Sequence, residues 1–433
     1  MSWPEVDFES LFATPSRNGV YKSKDHHGSG VPIVNMGELF AFNRIGNQPM
    51  SLIRMSDAEM DKSGLMDGDL LFGRRSLVEE GAGKCSMVYK PAGPLTFESS
   101  IIRVRLNRAI ADPEFFFNYF RSPIGRSRIR AIVGGAAVKG IRGSDLKLIK
   151  VHVPPIDEQI AIRQVVALYD DLIATNQRRI ALLEDAARRL YREWFVHLRF
   201  PGHDHSAGKP NGTAAGRPAG VSARDGANQS VPVKDGVPEG WAKLPLGDVA
   251  EITMGQSPES KYYNTDGDGL PFHQGVSDFG HRFVKHETYT KQATRIAEAG
   301  DILCSVRAPV GRLNFTRDKI AIGRGLSAMR SRTGHQSLLF YQLDALFVEE
   351  DMIGGGAIFA SVGKKELFGQ LILQPSTSVA CTFNRLAADL DAQIENLDSQ
   401  NRELAKARDL LLPKFMSGQL DVSGIRLSEE IAA

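Results

Sequence analysis

The side chains in this chain best suited to chemistry are guanidinium, ammonium and amide groups, and the chemistry they suit is contact with a nucleic acid. Arg121, Arg126, Arg128, Arg130, Lys139, Arg142, Lys147 and Lys150 are interrupted by a single acid, Asp145, and Arg307, Arg312, Arg317, Lys319, Arg324, Arg330 and Arg332 by a single acid, Asp318. Two such groups are what two phosphate-tracking surfaces require. Taken singly, either also fits a solvated face. Asn35 and Gln274 follow, at equal spacing, the related segments Gly30-Val31-Pro32-Ile33 and Gly269-Leu270-Pro271-Phe272. An amide side chain can bond adenine bidentately in a major groove.

Signatures of catalysis are missing. There is no G-x-x-x-x-G-K-[ST] phosphate loop, no G-x-G-x-x-G opening a helix after a strand and no G-x-S-x-G nucleophile elbow. The Asn-Pro-Pro-Tyr type motif of an amino-methyltransferase is also absent. His203 and His205 lack the cysteines or carboxylates that would complete a zinc site. Glu259-Ser260-Lys261 has the E-x-K spacing of some nuclease metal sites, a triplet common by chance. Gly134-Gly135 and Gly354-Gly355-Gly356 fit either a tight turn or a close approach of backbone to phosphate.

The elements that position these residues come in two copies. Ile132-Val133-Gly134-Gly135-Ala136 reappears as Ile353-Gly354-Gly355-Gly356-Ala357, and the same 221-residue offset matches Leu146 to Leu367, Pro154 to Pro375, Ile173 to Ile394 and Leu190 to Leu411. Upstream, Gly68-Asp69-Leu70-Leu71 answers Gly300-Asp301-Ile302-Leu303 at a larger offset, as expected where loops vary. The order is globular domain, long segment, globular domain, long segment.

The long segments read as helices. From Ile156 to Phe195 there is no Gly or Pro, and Ile173, Ile180, Leu183, Ala187, Leu190 and Trp194 fall at steps of seven, three and four. That is a coiled-coil seam. The second segment, from about Ser376 to Leu412, carries Leu390, Ile394, Leu397, Leu404, Leu411 and Phe415, interrupted by Asn401 and Arg408. Polar seam positions fix register and partner, so the two helices are expected to pair with each other, antiparallel. About forty residues at roughly 1.5 Å each make a spacer on the order of 60 Å. A helical hairpin of no particular role is the plainer reading of one such segment, and the duplication favours the spacer.

Composition sets bounds. The 433 residues allow two or three domains, and 42% hydrophobic with 24% charged residues suits globular cores. A formal net charge of +2 leaves any nucleic-acid surface to local clustering. No run of about eighteen apolar residues and no signal-peptide start point to a cytoplasmic protein without a membrane partner. Cys85, Cys304 and Cys381 read as reduced thiols packed in cores. Pro201 to Ser230, rich in Gly, Ala, Ser, Asn and Pro, reads as a flexible linker. Strands are expected at Leu70–Phe72, Ile101–Arg105, Leu148–Val153, Ile302–Ser305 and Leu371–Leu373, with helices near Pro113–Arg121 and Ser337–Phe347, giving mixed α+β domains.

The arrangement resembles the specificity subunits of type I restriction–modification systems over nearly the whole chain. Pro154-Pro155-Ile156-Asp157-Glu158-Gln159-Ile160 looks like the family's Pro-Pro-x-x-Glu-Gln entry to its conserved helices, and Leu190-Tyr191-Arg192-Glu193-Trp194-Phe195, followed by Arg199-Phe200-Pro201-Gly202, looks like the exit from the central one. Arg408-Asp409-Leu410-Leu411-Leu412-Pro413-Lys414-Phe415-Met416-Ser417-Gly418 resembles the C-terminal conserved region, and Pro238-Glu239-Gly240-Trp241 the usual opening of a target-recognition domain. The first domain lacks a clear Pro-x-Gly-Trp opening, and Pro375-Ser376-Thr377-Ser378-Val379 lacks the Glu-Gln pair.

The resemblance implies an α+β fold with two target-recognition domains joined by two long antiparallel coiled-coil helices in a pseudo-twofold repeat. The implied divisions are residues 1–153, first recognition domain; 154–198, central helix; 199–236, linker; 237–374, second recognition domain; 375–418, C-terminal helix; and 419–433, tail. It implies a non-catalytic reader of double-stranded DNA, each domain taking half of a bipartite asymmetric site and the helices setting the spacer. Partners would be two methyltransferase (modification) subunits and restriction/translocase subunits, which would carry S-adenosylmethionine, ATP and Mg, with no cofactor on this chain. Candidate DNA contacts, besides Asn35 and Gln274, are Arg74, Arg75, Lys84, Lys139, Arg142 and Lys147 in the first domain and Arg307, Arg312, Arg324, Lys364 and Lys365 in the second. A protein-interaction scaffold without DNA specificity is the rival reading. A third is an enzyme using Glu259 and Lys261 at a metal site.

Overall fold

The computed structural model describes residues 3–135, 138–202, 233–234, 237–347, 352–353, 357–358 and 361–420. His203, His205, Ala136, Gly354-Gly355-Gly356, most of the expected linker and the tail beyond Leu420 lie outside them. The chain divides into two compact units, the first taking residues up to Asn176 and those from Ser399, the second Gln177 to Asp398. Both divisions fall inside helices, Ile156–Tyr191 and Thr377–Met416, which are the two long segments expected from the sequence. The second runs four residues past the expected end, with Pro413 inside it. Ser417 still donates to the Pro413 carbonyl at 3.0 Å, so the turn is kept.

The first unit is built on a five-stranded sheet in the order Phe12–Asn18, Ile101–Leu106, Leu70–Gly73, Cys85–Val88 and Arg44–Ile45. Leu70–Gly73 is buried at every position, as an apolar run covered on both faces should be. Helix Pro113–Arg121 closes one face with Phe115, Phe116, Phe117, Tyr119 and Phe120. Its start is set by Pro113 in the first turn and by Asp112, whose carboxylate accepts from the Phe115 amide at 2.8 Å. The buried Gln159 ties the first long helix to that start. Its amide donates to the carbonyls of Ile110 (3.0 Å) and Pro154 (2.8 Å) and accepts from the Asp112 amide (2.8 Å). A second sheet pairs His27–Val34 with Leu52–Ile53 and Thr96–Phe97. Lys150–His152 pairs with Glu5–Asp7, so the strand expected from Leu148 starts later. Leu148 instead ends the short helix Gly143–Lys147 in a helical conformation.

The second unit carries a sheet in the order Ala250–Met254, Leu326–Ser331, Ile302–Ser305 and Leu313–Phe315, and another in the order Tyr263–Asn264, Tyr289–Thr290, Leu270–His273, Ile320–Ile322 and Ile296–Ala297. Helix Gln336–Leu346 packs on the first of these sheets in a core with Trp194, Phe195, Trp241 and Phe383. Where the first unit has Gln159, the residue one repeat later is Ala380, fully buried. Asn384 takes up the task of fixing the neighbouring helix, its side-chain oxygen accepting from the Leu338 amide at 3.2 Å.

Within each unit the long helices run antiparallel. In the first, Asp170 meets Arg408 at 2.6 Å and Asn176 faces Gln400 at 3.5 Å, so ascending numbers on one helix meet descending numbers on the other. In the second, Leu183 and Leu397 line one cleft and the rings of Tyr191 and Phe383 lie 5.9 Å apart. Of the seam residues, Ile180, Trp194, Ile394 and Phe415 are buried, while Ile173, Leu183, Leu190, Leu390, Leu397, Leu404 and Leu411 are half-buried. Cys85 and Cys304 are buried, but Cys381 is exposed, correcting the expectation of core packing for all three. Its helix turns Ala380 and Phe383 inward, which leaves position 381 facing out.

Candidate nucleic-acid interface

In the first unit, the chain leaves strand Leu70–Gly73 through Arg74, whose amide donates to Ser100 and whose carbonyl accepts from Ile141 at 3.0 Å. Arg75–Ser76 then pairs antiparallel with Lys139–Gly140. Gly140 is required here, because a Cβ would lie 2.7 Å from the Arg74 carbonyl oxygen. Gly134 closes the far side through two backbone bonds with Gly140, each 2.9 Å, and Gly135 turns the chain at φ +100°. The first glycine pair therefore makes a turn. Arg142 lies in extended backbone just before helix Gly143–Lys147.

These turns gather cations from distant parts of the sequence. Arg74 and Arg142 line two adjoining clefts of about 440 and 380 Å³; Arg17 and Lys147 join them in the first, beside Glu9, and Arg75, Val138 and Lys139 in the second, beside Asp145. Lys147 pairs with Glu9 at 2.8 Å. None of Arg17, Arg74, Arg75, Lys139 or Arg142 forms an ion pair among the described residues. Unpaired guanidinium groups around an open cleft are suited to polyanions, whose oxygens they can fork. Arg17, at the end of an irregular strand, carried no signal in the sequence.

Two candidates of this unit have other tasks. Lys84 donates to the Phe40 carbonyl and lies over the Phe40 ring at 5.6 Å. Burial, then the nearby Arg121 charge, pushes its pKa below the ordinary lysine value. Asn35 caps helix Met36–Ala41, its backbone amide bonded to Glu38 at 2.9 Å and its side-chain nitrogen to the Ile33 carbonyl at 3.3 Å.

The second unit assembles its candidates through backbone contacts. Arg307 bridges Ser361, Val306 donates to Gly325 at 2.9 Å, and Gly325 donates to the Gln274 carbonyl at 3.2 Å. Gln274, Arg307 and Arg324 thus stand on adjacent segments, with exposed side chains. Arg312 is exposed on the loop after Arg307, where its amide donates to Ser305 at 2.9 Å. Lys364 and Lys365 open helix Lys364–Phe368 three residues past Ser361, with Lys364 5.2 Å from the Phe368 ring centre.

The one-sided charge of the two sequence clusters does not survive folding. Arg128 pairs with Glu5 at 2.6 Å and Lys150 with Asp7 at 2.9 Å, while Arg126 donates to the carbonyls of Glu80, Ala82 and Gly83. Arg317 reaches Asp398 at 2.7 Å, Lys319 Glu298 at 2.9 Å and Arg330 Asp301 at 2.6 Å. The partners are acids far away in sequence. Glu259 and Lys261 pair with each other at 2.6 Å, and among the described residues no cluster of His, Cys, Asp or Glu could hold a metal.

Residues 15–185 match the family model of the type I restriction modification DNA specificity domain. A Methanocaldococcus jannaschii protein assigned as the MjaX type I restriction enzyme specificity subunit is 27% identical over 414 residues, covering 94% of this chain and 91% of its own. The EcoKI type I restriction enzyme specificity subunit of Escherichia coli strain K12 is 32% identical over 168 residues, 38% of this chain and 36% of its own. The fold is similar to that of the type I restriction–modification S subunit from M. genitalium, with a TM-score of 0.53 at 14% identity and 96% of both chains covered. Residues 15–185 thus resemble a type I restriction modification DNA specificity domain, and over most of its length the chain is similar to type I restriction enzyme specificity subunits.

Proposed function

We propose that this chain is the non-catalytic DNA-reading subunit of a type I complex, directing methyltransferase and restriction subunits to a bipartite asymmetric site. The observation that carries the reading is the cationic cleft of Arg74, Arg75, Lys139 and Arg142, unpaired within the described residues and open to a ligand. Duplex DNA presents one phosphate charge per about 1.7 Å of axis, which such a cleft can neutralise.

Equivalent geometry in the two units supports two readers built on one plan. The Arg75↔Gly140 pair of the first unit has its counterpart in Arg307↔Ser361, one 221-residue repeat from Gly140. Asp69 accepts from the Met66 amide and pairs with Arg105; Asp301 accepts from the Glu298 amide and pairs with Arg330. Gly30 and Gly269 hold φ +106° and +94° against the backbones of Ile53 and Thr290. In this reading the long helices act as a coiled-coil spacer that sets the number of unread bases between half-sites. S-adenosylmethionine, ATP and magnesium belong to the partner subunits. No helix among the described residues is long and apolar enough to cross a membrane.

Modification-sensitive sequencing of DNA from cells expressing this chain with its neighbouring methyltransferase, against cells lacking this chain alone, tests the reading. A split asymmetric motif methylated on adenine only when the chain is present is the expected result. Unchanged methylation, together with no salt-sensitive duplex binding by the assembled complex, would favour the scaffold.

A further inference from the structure

The short ladder of the first unit ends in an apolar tip. Ser76 pairs with Lys139, and the next residues on the two segments are Leu77 and Val78 on one side and Val138 on the other. They are 85%, 58% and 48% exposed. A single exposed leucine needs no explanation, but neighbouring apolar side chains collected at one tip do. The tip is held in shape: the Val78 amide donates to Ser76 Oγ at 3.1 Å, and the Gly81 amide to the Val78 carbonyl at 3.2 Å.

What surrounds the tip selects its occupant. Arg75 and Lys139 lie on the ladder itself, and Val138 shares its cleft with Arg74 and Arg142. Asp145 lines the same cleft and the exposed Glu79 and Glu80 follow Val78, so the cations flank the tip on its ladder side. An apolar point flanked there by cations complements a surface that is anionic at its edges and carries apolar groups on its floor. The major groove of DNA is such a surface, wide enough for a two-stranded ribbon, with phosphates along its walls and the thymine C5-methyl on its floor.

We propose that Leu77, with Val138 beside it, contacts a thymine C5-methyl in the half-site bound by the first unit and is thereby a specificity-determining residue. The proposal rests on the DNA-reading function above and adds the base and the atom that are read. Arg75 and Lys139 hold the ribbon by phosphate contacts, which position without specifying, while the apolar tip distinguishes thymine from cytosine through a methyl group.

Replacing thymine by uracil removes that methyl and leaves base pairing intact. The experiment uses the chain assembled with its modification subunits, at fixed salt, on a duplex carrying the motif read by the sequencing above, with each thymine replaced in turn by uracil. At one or more thymines of one half-site, affinity falls about fourfold, the worth of one buried methyl group. In Leu77→Ala the duplex with thymine binds more weakly and the difference between thymine and uracil disappears; Leu77→Met, which keeps an apolar reach, restores it. A flat uracil scan, a motif without thymine, or a difference that persists in both Leu77→Ala and Val138→Ala overturns the assignment while specific binding remains. Loss of any preference for the motif over a scrambled duplex overturns the underlying DNA reading instead.

Discussion

Arg408 Nη1 lies 2.6 Å from Asp170 Oδ1, joining the two long helices within the first unit across 238 residues of sequence. The arginine interrupts the heptad pattern, and its guanidinium would cost stability at a helix interface without an acceptor. Both side chains are mostly covered, 21% and 22% exposed. Asp170→Ala leaves Arg408 with Asp409 alone and is expected to destabilise the first unit by about 1–3 kcal/mol. Asp170→Leu with Arg408→Leu should recover most of that, since an apolar pair of similar size avoids the desolvation cost. Hydrogen exchange of amides in residues 156–176 and 399–416 reads both. Equal loss in the single and double variants would show that an apolar pair does not replace the ion pair, against the desolvation argument.

The Asp69 and Asp301 carboxylates close matching turns in different degrees of cover. Asp69 is 1% exposed, accepting two bonds of 2.7 Å from Arg105 and one of 2.8 Å from the Met66 amide. Asp301 accepts from the Glu298 amide at 2.8 Å and a single bond of 2.6 Å from Arg330, which is nearly half exposed. Asp69→Ala should cost about 3–5 kcal/mol, as for a broken buried pair, and Asp301→Ala about 1–2 kcal/mol, since solvent replaces part of what is lost. Chemical denaturation of the two variants checks the order, and a larger loss at Asp301 contradicts the burial argument.

These pairs show why some of the fold is legible in sequence and some is not. Gly68-Asp69 and Gly300-Asp301 repeat because the turn needs both a glycine at φ +85° or +86° and a carboxylate after it. The long helices announce themselves by the lack of Gly and Pro up to the last turn and by apolar steps that local packing demands. The strands Leu70–Gly73 and Ile302–Ser305 are buried throughout, with both faces covered, and read as short apolar runs up to their last residues. Strand Phe12–Asn18 is mostly exposed and His27–Val34 is exposed over its first half, so neither gives such a run. The cations are the least legible part. Whether Arg128 or Lys150 is free depends on Glu5 and Asp7, more than a hundred residues earlier, while Arg17 enters the cleft only because its strand lies beside Ile101–Leu106. Charge density along the sequence reports composition; the availability of each charge is decided by tertiary pairing.

A chain of side chains running from the core of the second unit to its surface predicts acid sensitivity. His273 is fully buried, its Nδ1 3.0 Å from Asp278 and its Nε2 2.9 Å from His286, which in turn meets Asp318 at 3.0 Å. Burial holds the His273 pKa below the ordinary 6.5, partly opposed by Asp278 and assisted by His286. Between the lowered folded value and 6.5, the unfolded chain binds a proton that the folded one does not, so stability rises with pH there and is lost as pH falls below about 6.5. The urea midpoint of the second unit should therefore drop between pH 7.5 and pH 5.5. His273→Gln, which cannot titrate, should show a smaller drop. The same drop in both proteins would assign the acid sensitivity to other groups.

Salt dependence separates the cations that meet phosphate from those that are structural. Lys139 forms no ion pair among the described residues and lines the cleft with Arg74, Arg75 and Arg142, so Lys139→Ala in the assembled complex should weaken duplex binding and lower the slope of log affinity against log salt by about one phosphate's worth. Sequence preference should remain, because a phosphate contact positions without specifying. Lys364→Ala should act in the same way in the second unit, where the residue is exposed at a helix start. Lys84→Ala provides the contrast. Its ammonium is engaged by the Phe40 carbonyl and ring, so its removal should leave the slope unchanged. Lys147, paired with Glu9 at 2.8 Å, can contribute only by exchanging that partner for phosphate, and Lys147→Ala should change the slope by less than Lys139→Ala. Identical slopes for wild type and Lys139→Ala would show that the cleft does not carry the backbone, and the free guanidinium groups around it would then need another ligand.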